Sequence, residues 1–87
     1  MKISLSPRAE KEFRKLQKLD QIAVARKIRD LGNGGKDLRE EKLSGYRDIF
    51  RVRVGDFRIV FKKSSSETHI ILIGSRGDVY ESLKRLL

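Results

Sequence analysis

Residues 49–61 read Ile49-Phe50-Arg51-Val52-Arg53-Val54-Gly55-Asp56-Phe57-Arg58-Ile59-Val60-Phe61. Two alternating runs flank Gly55-Asp56, and a Gly-X pair suits a two-residue turn of the II′ type. That turn pairs Val54 with Phe57, Arg53 with Arg58, Val52 with Ile59, Arg51 with Val60 and Phe50 with Phe61. Side chains alternate between the two faces of a strand. One face is then apolar: Phe50, Val52, Val54, Phe57, Ile59 and Phe61. The other gathers Arg51, Arg53 and Arg58. Like charges directly opposite one another destabilise a sheet. A sequence that breaks such a local rule without visible compensation commonly does so at a functional site. The simplest purpose for the cluster is to grip a polyanion, with a nucleic-acid backbone the leading candidate.

Working outward, Ile3 and Leu5 alternate with polar residues and predict a short first strand. Ser6-Pro7 supplies a helix N-cap and a first-turn proline. Ala9, Phe13 and Leu16 form a buried stripe, with Lys11, Arg14, Lys15 and Lys18 off it. Asp20 is read as the cap of a second helix carrying Val24, Ile28 and Leu31, ended by Gly32 and Asn33-Gly34-Gly35. The two helices form an αα-hairpin. Residues 36–48, with Leu38, Leu43 and the turn Ser44-Gly45, suggest a short extended segment. Ser64-Ser65-Ser66-Glu67 is a polar turn. Thr68 to Gly74 is apolar on both faces and suits a central strand covered on both sides. Residues 80–87 read as a short terminal helix packing Leu83 and Leu86 or Leu87.

The expected fold is α+β: a small, mainly antiparallel sheet with the N-terminal αα-hairpin on one face and a short C-terminal helix. The hairpin's apolar face receives the helices, which leaves the arginine face open to solvent or ligand.

Eighty-seven residues allow one domain, spanning 1–87, with one modest core. Cysteine is absent, which excludes a disulfide framework, a thiol nucleophile and cysteine metal sites. Charged residues and hydrophobic residues each make up 38% of the chain, a foldable composition. No apolar stretch is long enough to span a bilayer, and no secretion signal is visible, so a cytoplasmic protein is expected.

The net charge is +9. Residues 1–30 carry nine bases against four acids, and residues 46–63 carry six against two, whereas 31–45 and 64–87 each balance at three and three. The excess therefore sits on the helices and the arginine hairpin. A basic patch of this kind points to nucleic acid or another anionic surface. For the helices alone, a solvated basic face is the competing explanation. His69, the single histidine, lies in an apolar strand and is read as structural. His, Asp and Glu show no metal-ligand spacing, so no metal is expected.

The chain resembles the RelE/ParE superfamily of toxins from toxin–antitoxin pairs. Carrying the resemblance are Leu5-Ser6-Pro7-Arg8-Ala9, Lys42-Leu43-Ser44-Gly45, the Phe50–Arg58 hairpin and Ile73-Gly74-Ser75-Arg76-Gly77-Asp78-Val79-Tyr80, in family order over nearly the whole chain. RelE-type members cut messenger RNA in the ribosomal A site. They use basic residues on the sheet and a tyrosine near the C-terminus. The resemblance places those roles on Arg51, Arg53, Arg58, Arg76 and Tyr80. It implies metal-independent cleavage of mRNA on the ribosome, no cofactor, and a RelB-like antitoxin partner in a toxin–antitoxin hetero-oligomer. ParE-type members share the fold but inhibit DNA gyrase, and they do not require this full set. A non-catalytic RNA-binding or ribosome-binding domain is a further reading.

The implied reaction is attack of a ribose 2′-hydroxyl on its own 3′-phosphate. It needs a base, an acid and charge stabilisation at the phosphoryl oxygens. Arginine forks match phosphate oxygens but stay protonated, so the hairpin provides no general base. Ser75 stands where some relatives have a histidine or lysine. Tyr80 has two open roles, stacking on a base or accepting the proton. Structural roles compete here too, with Tyr80 capping the core and Arg76 pairing with Asp78 or Glu81.

Overall fold

The computed structural model describes residues 2–33 and 40–86, with the backbone alone at residues 76–78, 80 and 86. Among these residues the chain runs β1 (Lys2–Leu5), α1 (Pro7–Arg14), α2 (Lys18–Gly32), β2 (Glu41–Lys42), β3 (Ile49–Val54), β4 (Phe57–Lys63), β5 (Glu67–Ser75) and α3 (Arg76–Leu86). The strands form one sheet in the order β1-β5-β4-β3-β2. β1 runs parallel to β5, and every other pairing is antiparallel. This is the expected α+β arrangement.

The β3–β4 hairpin has the expected register throughout, from Val54↔Phe57 to Phe50↔Phe61. Gly55 has φ +59°, while Asp56 is not among the positive-φ residues. A positive φ at the first central position alone is the II′ signature, and glycine adopts it without a Cβ penalty. Phe50 and Phe61 stack across the ladder with centroids 5.9 Å apart.

α1 and α2 pack on the apolar hairpin face. Ala9, Val24 and Leu31 meet Val52, Ile59, Phe61, Ile70 and Ile73 in one buried cluster, with Phe13, Leu16 and Ile28 packed against it. Ser6 caps α1 by accepting from the Ala9 N–H at 3.0 Å. α2 begins earlier than expected: its N-cap is Gln17, whose side chain makes no capping bond, and Asp20 lies inside the first turn. There its carboxylate still favours the positive end of the helix dipole. Leu38 and Gly34-Gly35 lie outside the described residues.

β5 is covered on both faces, as its apolar run predicts. A bulge interrupts its pairing with β4. Val60 pairs with Leu72 and Phe61 with Ile70, so Ile71 is the extra residue. Ile70 and Ile73 then both face α1 and α2, while Leu72 faces the other way. β1 ends at Leu5, opposite Ile70, and leaves the rest of β5 without a strand on that side. α1 fills the gap. The Ser6 hydroxyl donates to the Ile71 carbonyl at 2.8 Å, and a Glu12 carboxylate oxygen accepts from the Ile73 N–H at 3.0 Å.

The C-terminal helix differs most from expectation. It starts at Arg76, immediately after β5, and lies on the arginine face of the sheet. Val79 and Leu83 are buried there against Ile49, Val60 and Leu72. The helix is therefore a core element with two buried anchors. Leu83 packs as expected; the Leu86 side chain and Leu87 lie outside the described residues. Among the described residues no helix is long and apolar enough to cross a membrane.

Candidate nucleic-acid interface

Arg51 and Arg53 alternate with the buried Val52 on β3, so both point away from α1 and α2. Arg58 joins them from β4, directly opposite Arg53 and diagonal to Arg51. Directly opposed residues on one face stand about 5 Å apart at Cβ, and diagonal ones about 7–8 Å. The sheet thus brings together the three hairpin arginines singled out from sequence.

The arginine face is not left open. α3 crosses it, and Arg58 is only 6% exposed, while Arg53 is exposed and Arg51 intermediate. The local cause is Gly74, which pairs with Arg58 on β5. A Cβ at Gly74 would stand 2.9 Å from Val79 Cγ2, so its absence lets α3 settle directly on the sheet. Arg58 lies between the exposed Arg53 and this close helix–sheet contact. Its Nη1 donates to the Phe57 carbonyl at 3.4 Å. A long side chain can bury its stem while keeping its charged head near the cluster.

Arg76 opens α3, two residues after Gly74, and Tyr80 lies one turn further along. The backbone therefore brings both positions to the end of β5 beside Arg58. Their side chains lie outside the described residues.

One member of the cluster was missed from sequence. Glu41 on the edge strand β2 is directly opposite Arg51. Its Oε2 accepts from Arg51 Nη2 at 2.8 Å. The hydrogen bond from Arg51 and then its charge, with smaller help from Arg53 and Arg58, hold the Glu41 carboxyl below its ordinary range. This carboxylate offsets the charge of Arg51, the arginine of the cluster that faces no other arginine across the ladder. Pairing residues 41–43 back onto 49–51 around the Ser44-Gly45 turn would have exposed it, because opposite charges favour cross-strand positions. Neighbouring Glu40 serves the other face. Both its carboxylate oxygens accept from Lys63 Nζ, at 2.8 and 3.0 Å, and that ammonium also stands 5.6 Å from the Phe50 ring centroid.

His69 sits in a separate polar group. Its Nδ1 is 2.8 Å from Ser4 Oγ, which also donates to the Glu67 carboxylate. The ring ties β1 to β5, in keeping with a structural role. Among the described residues no three His, Asp or Glu side chains come together as metal ligands.

The likenesses to known proteins agree with this arrangement. The isolated RelE toxin of E. coli superposes with a TM-score of 0.74 at 25% identity, covering 99% of this chain and 98% of that one. A chain of the RelB–RelE antitoxin–toxin complex of Methanococcus jannaschii gives 0.77 at 17% identity, covering 91% and 96%. The RelBE2 toxin–antitoxin complex of Mycobacterium tuberculosis gives 0.75 at 18% identity, covering 86% and 96%. No curated protein sequence matches the chain. The family model described as the ParE toxin of the type II toxin–antitoxin system, parDE, matches residues 3–80. That span runs from β1 into α3 and contains the whole arginine cluster, so the chain belongs to this toxin family, within the RelE/ParE superfamily.

Proposed function

We propose that this toxin acts as a RelE-type, ribosome-dependent endoribonuclease that cuts messenger RNA in the A site. The observation that carries the reading is the convergence of Arg51, Arg53 and Arg58 on one face of the sheet, beside the backbone positions of Arg76 and Tyr80. A protein-binding gyrase inhibitor has no need of this set.

In the proposed reaction a ribose 2′-oxygen attacks the adjacent phosphorus and the bond to the 5′-oxygen breaks. The products are a 2′,3′-cyclic phosphate and a 5′-hydroxyl. RNA is required, because DNA lacks the attacking group. Arg51, Arg53 and Arg58 hold the phosphate and stabilise the charge that develops on its oxygens. Arg76 binds the scissile phosphate or delivers a proton to the leaving oxygen. Tyr80 stacks on a base and takes part in proton transfer. None of the arginines can serve as base at neutral pH. The ribosome compensates for weak base catalysis by holding the messenger in a near-attack geometry, since positioning alone supplies a large part of such barriers.

The partner is a RelB-like antitoxin, acidic and helical, in a hetero-oligomer; several of the structural neighbours are toxin–antitoxin complexes. On α2, Leu19 is 82% and Ile22 47% exposed. Ile22 lines a shallow groove with Ala25, Arg26 and Arg29. An apolar strip edged by arginines fits an acidic amphipathic helix.

The test is primer extension on a defined messenger, as free RNA and on ribosomes stalled with an empty A site. A ribosome-dependent cut within the A-site codon is expected, with little cleavage of free RNA. The family-model match supports a second reading, gyrase inhibition. Loss of DNA supercoiling by purified gyrase, with intact messenger in both samples, would select it.

A further inference from the structure

Glu41 occupies the guanidinium that the proposed function assigns to phosphate. Its carboxylate is bonded to Arg51 at 2.8 Å and acts electrostatically on Arg53 and Arg58. The geometry is set by the fold: β2 is an edge strand, and Glu41 is in register with Arg51. The pair is not sealed in the core, as the Glu41 side chain is 53% exposed. A carboxylate and a phosphate present the same kind of oxygen pair to a guanidinium fork. They therefore compete for Arg51. A tethered acceptor also competes at a high effective concentration, whatever the amount of RNA in solution.

We propose that Glu41 is a built-in competitor of RNA phosphate, holding Arg51 in the free protein and giving it up only when a phosphate is presented in place. The inference rests on the reading of the cluster as an RNA site. It deepens that reading by naming what restrains the cluster from filling with any polyanion it meets. A phosphate must displace the carboxylate from Arg51 and then lie near the negative charge it has released. RNA held by a second body meets those conditions more readily than a freely diffusing strand.

The experiment measures binding of a short fluorescent oligouridylate by anisotropy over a range of salt concentrations. It compares the wild-type chain with Glu41→Gln, Glu41→Asp and Glu10→Gln. Glu10 lies on α1, on the far side of the sheet, and its variant controls for the change in net charge. Glu41→Gln should bind about tenfold more tightly, the gain of one charge-assisted contact. Its log–log salt slope should steepen by about 0.7, one more phosphate contact on a single strand. Glu41→Asp should stay close to wild type, and so should Glu10→Gln. Equal affinity and slope for Glu41→Gln and Glu10→Gln would overturn the proposal. Weaker binding by Glu41→Gln would also overturn it, because Glu41 would then be orienting Arg51 for RNA. Binding by none of the variants would overturn it as well.

Ribosome-dependent cleavage by the wild-type protein, measured alongside, separates the two readings. Tighter binding by Glu41→Gln without cleavage supports the competitor and removes the nuclease. Cleavage with unchanged binding does the reverse.

Discussion

Gly74 of β5 lies directly against Val79 of α3: a Cβ added at Gly74 would stand 2.9 Å from Val79 Cγ2. This contact sets how closely α3 approaches the arginine face, and hence how deeply Arg58 is covered. Val79 is 2% exposed and short, so it has little room to yield. Gly74→Ala should destabilise the protein by about 1–3 kcal/mol, the usual cost of overpacking. Urea denaturation gives the value. If the clash is the cause, Val79→Ala should recover part of the loss in the double variant. Additive losses in that cycle would place the cost elsewhere.

Glu12 seals the stretch of β5 that β1 does not reach, through its bond with the Ile73 N–H. Truncating it leaves a partly buried donor without its acceptor. Glu12→Ala should cost about 1–3 kcal/mol by the same denaturation measurement. Amide exchange at Ile73 should rise more than at Ile59 in the central strand β4. Unchanged protection at Ile73 would show that another group takes over.

Arg53 and Arg58 oppose each other in register but differ in environment. Arg53 is exposed, and Arg58 is nearly covered. Arg53→Ala should change stability by no more than about 0.5 kcal/mol, as exposed substitutions generally do. Arg58→Ala should cost about 1–3 kcal/mol, because its stem fills space beneath α3. Both should lower ribosome-dependent cleavage at least about tenfold, each having lost a charge-assisted contact to phosphate. Wild-type cleavage by both variants would remove these arginines from the site.

Glu41 links stability to pH. Its carboxyl titrates lower in the folded chain than its ordinary value of 4.5, chiefly through the hydrogen bond from Arg51. A depressed carboxyl stabilises the fold fully above its unfolded value, and that contribution disappears as pH falls through the folded value. The difference in urea midpoint between wild type and Glu41→Gln should therefore be constant near neutrality and close as pH falls below 4.5. A difference that stays constant through this range would mean that the pair contributes nothing to folding.

The hairpin was legible because its information is local. Gly55 specifies the turn, and the period-two alternation of residues 49–61 specifies the register, so every pairing from Val54↔Phe57 to Phe50↔Phe61 follows within the segment itself. The helix stripes were legible for the same reason, as was the doubly covered Thr68–Gly74 strand. Asp20 misled because a good capping residue lay one turn past the actual start, where packing of Val24 and Leu31 governs the helix. The start of α3 at Arg76 was hidden because Gly77 and Asp78 are poor helix formers.

From the sequence alone, then, came the α+β architecture, the arginine cluster and the toxin-like order of motifs. Each depends on residues close together in the chain, or on a pattern that any fold of this sequence would keep. Tertiary structure alone decided that α3 returns over the arginine face, that Arg58 is covered while Arg53 is not, and that Glu12 closes the edge of β5. These contacts join segments far apart in the chain, and their energies depend on burial and on which charges meet across a ladder, quantities that exist only once the sheet and helices have assembled.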